Sequence, residues 1–170
     1  DSLVETLETA FMEEFETAVQ AVLNGSAVLL VDGVNRAIRV HVKKLERRAI
    51  NESDTETVIR GPRDAFVEVL AVNVTLLRRR LQTPALKLEK MHIGTSTQTE
   101  VVVAYLEGVA EPKIVAEVKN RLGKIDIDGV LESAYIEEFI EDVPWSPFPQ
   151  IDSTERPDKV AAGLLEGQVA

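Results

Sequence analysis

Apolar positions near the start of the chain recur at helical spacing. Leu3, Leu7, Phe11, Phe15, Ala18 and Val22 fall on one face, and Ser2 followed by Glu5 has the form of a capping box. The pattern predicts an opening helix that ends at Asn24-Gly25. The run Ala27-Val-Leu-Leu-Val31 is apolar at successive positions, as a central strand is, and Asp32-Gly-Val-Asn35 turns the chain into a second strand over 36–42. Residues 43–58 are charged and polar and read as a loop or linker. Gly61 and Pro62 then start a long helix with Phe66, Leu70, Val74, Leu77 and Leu81 along one face, stopped by Thr83-Pro84.

The next block reads as strand, strand, helix, short strand and helix. Strands over 86–93 and 100–106 are joined by a polar turn at 94–98, and the second, apolar on both faces, is expected to be central. Glu111-Pro112 opens a helix whose apolar face is Ile114, Val115, Val118 and Leu122. It returns through 124–128 as a parallel strand in a right-handed crossover. A short helix over 132–142 places Tyr135, Ile136, Phe139 and Ile140 inward. Residues 143–157 carry four prolines and are expected to be extended. The end, Leu165-Glu-Gly-Gln-Val-Ala170, repeats the earlier Leu23-Asn-Gly-Ser-Ala-Val28, each closing a helix and opening a strand. The fold class is α/β (mixed α+β), as two small α/β lobes joined by extended linkers. The first lobe is 1–82 completed by 151–170, the second is 83–142, and 143–150 is an extended proline-rich connection.

Composition narrows the function classes. With 170 residues, 45% of them hydrophobic, the chain has enough apolar surface for a real core. The net charge of −10 opposes a general nucleic-acid binder, which needs a basic face to displace phosphate counterions. The charge is uneven: between Lys124 and Arg156 lie nine acids and no base, whereas 36–48 carries six bases and one acid. Such stretches are solvated faces or surfaces that meet each other or a partner. Cysteine is absent, which excludes disulfides, thiolate metal sites and cysteine nucleophiles and suits a reducing compartment. No apolar run approaches the ~18 residues of a spanning helix. The first 35 residues hold seven acids and no Lys or Arg, so no secretory leader is expected.

Candidate chemistry is sparse. Arg60-Gly-Pro-Arg-Asp64 sets two guanidinium groups and free backbone N–H groups at one helix start, a place for a carboxylate or phosphate, or only a helix start with Arg60 and Arg63 paired to acids. Asp126 and Asp128 alternate on the 124–128 segment and point the same way. They are suited to a cation or an amino group, or to capping the Gly129 turn and the next helix. The tentative ligand-binding set is therefore Arg60, Arg63, Asp64, Asp126 and Asp128. Pro144-Trp-Ser-Pro-Phe-Pro149 carries the single Trp and is either a recognition element or a packed connection. Neither His41 nor His92 lies near a nucleophile motif, zinc spacing or Gly-rich phosphate loop, so no catalytic residue, metal site or cofactor is expected.

Five phrases stand in order along the chain: Arg60-Gly-Pro-Arg-Asp-Ala-Phe66, Leu77-Arg-Arg-Arg-Leu81, Lys124-Ile-Asp-Ile-Asp-Gly-Val130, Ser133-Ala-Tyr-Ile-Glu-Glu-Phe-Ile-Glu-Asp142 and Ser146-Pro-Phe-Pro-Gln-Ile-Asp-Ser-Thr-Glu-Arg-Pro-Asp158. With this series the chain, over about 20–170, resembles the N-terminal domain of the A subunit of GerA-family spore germinant receptors. The resemblance implies a domain on the cytoplasmic, spore-core side of the inner spore membrane, anchored through membrane helices absent from this chain. It implies B and C subunits, and further A subunits, as partners in nutrient-triggered germination. It leaves open whether the domain serves assembly and signal relay or binds a small-molecule nutrient in a cleft between its lobes.

Overall fold

The computed structural model describes residues 9–41, 64–143 and 145–170. Arg60 and Arg63, the Ser2–Glu5 capping box, the 43–58 linker and Pro144 lie outside the described residues. Within them the chain is a mixed α/β structure of five helices and two small antiparallel sheets.

The first sheet has the order β1-β3-β2, built from β1 (Thr9–Met12), β2 (Ala27–Leu29) and β3 (Ala37–Val40), with α1 (Phe15–Leu23) between β1 and β2. The expected opening helix is therefore shortened, because Thr9–Met12 pairs with Val40–Ala37 instead of coiling. The hairpin is as expected, but β3 is the central strand and β2 an edge. One sheet face, with Met12, Ala37 and Val28, packs on Ala18 and Ala21 of α1.

The helix end at Gly25 is a Schellman motif. Ser26 N–H donates to Ala21 O and Gly25 N–H to Val22 O, with Gly25 at φ +82°, where a side chain would be strained. The matching phrase at the chain's end does the same. After α5 (Pro157–Leu165), Gln168 N–H donates to Gly163 O and Gly167 N–H to Leu164 O, with Gly167 at φ +90°.

The repeat thus closes a helix both times, but its second copy meets a different sheet. Ala170 exchanges two backbone hydrogen bonds (2.6 and 2.9 Å) with Ala104 of β5 (Thr99–Leu106), the pattern of an antiparallel pair. The tail therefore pairs with the second sheet and not the first. On its other edge β5 is paired along its length with β4 (Leu86–Ile93), so β5 is flanked on both sides.

This hairpin is covered on both faces, as the double apolar character of β5 requires. Leu86, Leu88, Ala104 and Leu106 pack on Leu77 and Leu81, at the end of α2 (Leu70–Arg80), and on Ala161 and Leu164 of α5. Met91, Ile93, Val101, Val103 and Tyr105 pack on α3 (Pro112–Gly123) and α4 (Ser133–Ile140) through Val118, Leu122, Ile136 and Ile140.

Four expectations are corrected here. In the described part of the helix expected from Gly61, residues 64–69 are not helical and α2 begins at Leu70, because the backbone before it has other partners. Phe66 N–H donates to Glu155 O, and the Asn73 side chain takes both Val67 N–H and Val67 O. Residues 124–128 form no strand, although Ile125 and Ile127 do reach the core. Ile114 on α3 is exposed, as are Tyr135 and Phe139 on α4. The proline-rich connection is not packed: Trp145 is 95% exposed and Phe148 76%.

Candidate functional site

Of the tentative ligand set, the three described carboxylates lie in two places. Asp64 accepts from Arg80 Nη2 through both oxygens at 2.6 Å, each side chain being less than one-quarter exposed. Arg156 and Asp158, at the start of α5, form a second ion pair, and hydrogen bonding from Arg156 holds the Asp158 carboxyl below its ordinary range. Asp64 is thus bound into the junction of α2 and α5 and presents no free carboxylate.

Asp126 and Asp128 are both exposed, on either side of Ile127, which with Ile125 packs against the core. Neither caps α4, which has no side-chain cap. Asp128 Oδ1 accepts from Thr95 Oγ1 at 3.2 Å, and its carbonyl accepts from Ser96 and Thr97 N–H. Thr97 Oγ1 accepts from Val130 N–H, and Thr99 Oγ1 donates to Val130 O. The polar β4–β5 turn therefore clamps 127–130. Gly94 and Gly129 permit the approach: a side chain at Gly94 would meet the Gly129 backbone at 3.2 Å. Sequence reading missed this job of Gly94-Thr-Ser-Thr97, since the turn's composition signals only a loop.

The two groups do not converge. Arg80 adjoins Leu81, which packs at the open end of the hairpin with Leu86 and Leu106, whereas Asp128 sits at the turn. Eight residues of strand, about 25 Å, lie between.

A cavity of about 570 Å³ opens between the end of β5 and α3, lined by Tyr105, Gly108, Pro112, Val115, Lys119 and Asn120 among others. Its charged wall is internally satisfied. Glu89 accepts from Lys119 Nζ (2.8 Å) and Tyr105 Oη (2.6 Å), which holds the Glu89 carboxyl below its ordinary range and pushes the Tyr105 hydroxyl up. Among the described residues no three His, Cys, Asp or Glu side chains gather as a metal site, and no helix is long and apolar enough to cross a membrane.

Fold and site together define a mixed α/β domain in which Asp64 and Asp128 bond to side chains of the domain itself. Comparison with known proteins narrows this class. The family described as Bacillus/Clostridium GerA spore germination protein matches residues 1–170. The chain is 51% identical over 150 residues to the uncharacterized membrane protein YfkQ of Bacillus subtilis, covering 88% of this chain and 29% of that protein. It is 37% identical over 167 residues to spore germination protein A1 of the same organism, covering 98% and 35%. The crystal structure of the N-terminal domain of the A subunit of the Bacillus megaterium spore germinant receptor GerK3 superposes with a TM-score of 0.71 at 38% identity. That match covers 98% of this chain and 59% of that one. The chain belongs to the GerA family of spore germination proteins. It spans about a third of the length of the curated relatives it matches.

Proposed function

We propose that this chain is the N-terminal domain of a germinant-receptor A subunit, acting in assembly or signal relay and not as an enzyme or as the nutrient site. Its place is the cytoplasmic, spore-core side of the inner spore membrane, beside B and C subunits and further A subunits. Its likeness to the GerK3 A-subunit domain supports the receptor role. One observation supports assembly over nutrient binding: Asp64 is taken up by Arg80, and Asp126 and Asp128 stand at the opposite end of the hairpin. A small zwitterion needs convergent polar groups in one concave site.

Two measurements test the reading. Calorimetric titration of the chain with amino acids, sugars and nucleosides should give no saturable heat, and deleting the domain from the full-length receptor should abolish co-purification of the companion subunits and germination. Saturable nutrient binding that is lost in Asp128→Ala, or a complex and germination unaffected by the deletion, would overturn it.

A further inference from the structure

Resting on that reading, a docking surface and its partner's chemistry follow from α4 and the loop after it. Leu131, Tyr135, Phe139 and Val143 are spaced by four residues, and all four are exposed. Tyr135 and Phe139 stand one turn apart on α4 beside the inward Ile136 and Ile140, so α4 is apolar over more of its circumference than its own core uses, and Leu131 and Val143 lie just beyond its two ends. Trp145 and Phe148 extend the exposed apolar surface into the loop. A scattered exposed apolar residue is ordinary, whereas a contiguous set marks an interaction site.

The loop is also held in shape. Gln150 Oε1 accepts from Asp142 and Val143 N–H, Gln150 Nε2 donates to Val143 O, and Ser146 Oγ bonds both Phe148 N–H and Phe148 O. Polar bonds thus fix the backbone while the aromatic rings face solvent. Pre-organised aromatic side chains lose little entropy on binding and dominate many interfaces.

The rim is acidic. Glu132 and Glu138 stand three residues before and after Tyr135, on its side of α4. Among the described residues no cation pairs with Glu132, Glu137, Glu138 or Glu141, while Asp142 pairs with Arg121. An apolar stripe edged by unpaired carboxylates is complementary to apolar groups flanked by Lys or Arg, and it repels anionic lipid.

We propose that the α4 stripe and the 145–148 loop form a docking surface for a basic amphipathic segment of a partner protein.

Trp145 is the chain's only tryptophan, so its fluorescence reports this surface alone. The probe is an 18-residue synthetic helix of Leu and Lys at helical spacing, with a counterpart in which Glu replaces Lys. The Lys peptide should shift Trp145 emission to the blue with saturation, more weakly as salt rises, and the Glu peptide should not. Phe148→Ser, and the double variant Glu132→Lys with Glu138→Lys, should each weaken binding about tenfold or more. Asp32→Lys, an exposed charge reversal on the other sheet's hairpin, should change it less than about twofold. Absence of a shift, equal binding of the Glu peptide, or equal weakening by Asp32→Lys would overturn the proposal. A blue shift on anionic vesicles would replace the protein partner by a membrane. A concentration-dependent shift of the chain alone, with a dimer in sedimentation, would replace it by a second copy. Each of these results leaves the receptor reading untouched, because that reading stands on domain deletion in the full receptor.

Discussion

Glu89 sits in the middle of β4 with two donors, Lys119 Nζ and Tyr105 Oη, and its carboxyl is held below the ordinary range chiefly by the bond from Lys119. Glu117 and Asp158 are held low in the same way by Arg121 and Arg156. A carboxyl whose folded-state value is depressed adds stability above its unfolded value, and that stability is lost as pH falls through the folded value. The melting temperature should therefore be nearly flat from neutral pH to about pH 5 and fall below about pH 4.3, the ordinary Glu value. Glu89→Gln should make the acid limb shallower, and an unchanged acid limb would show that Glu89 carries none of it. At the other end of the scale, the raised Tyr105 hydroxyl keeps its bond to Glu89 up to and beyond its usual titration near pH 10. None of this partnership was legible in the sequence. Glu89, Tyr105 and Lys119 are separated by 16 and 14 residues and meet only because β4 pairs with β5 and α3 crosses that face.

At the scale of elements, helix ends were read best. Leu23-Asn-Gly-Ser and Leu165-Glu-Gly-Gln each carry glycine where the Schellman motif needs positive φ, and both motifs are formed. The two sites differ in their surroundings, which separates conformational strain from crowding. A side chain at Gly25 meets nothing within 4 Å, whereas at Gly167 it comes within 3.0 Å of Val109 O. Gly25→Ala should cost about 1 kcal/mol, the penalty of a left-handed residue. Gly167→Ala should cost clearly more, and equal losses in chemical denaturation would show that the Val109 loop yields. Helix beginnings were read less well. The phrase Arg60-Gly-Pro-Arg-Asp64 has the composition of a helix start, yet α2 begins at Leu70. The intervening backbone bonds to Glu155, 89 residues away from Phe66, and to the Asn73 side chain. Tertiary partners outbid the local signal.

Across the whole molecule, the β4–β5 hairpin is the shared layer between two helix pairs. Leu164 of α5 lies at the centre of one interface with no exposed surface, among Leu77, Leu86, Ala104 and Leu106. Leu164→Ala should lower the unfolding free energy by about 2–5 kcal/mol, read as a lower denaturant midpoint with unchanged slope. A loss under about 1 kcal/mol would mean that the core refills the space. The sequence by itself determined the mixed α/β class, the β4–β5 hairpin, the positions of α3 and α4, and the GerA-family likeness. Those follow from side-chain periodicity, turn residues and ordered motifs, all of which are local in the chain. Only the tertiary structure decided that β3 is central, that Ala170 joins β5, and that 124–128 stays outside both sheets. It alone decided that Asp64 and Asp128 lie at opposite ends of a hairpin, and that Tyr135, Phe139, Trp145 and Phe148 face outward. Hydrophobic spacing tells which residues share a face. Which faces are covered, and by what, depends on contacts between distant segments that no local pattern encodes.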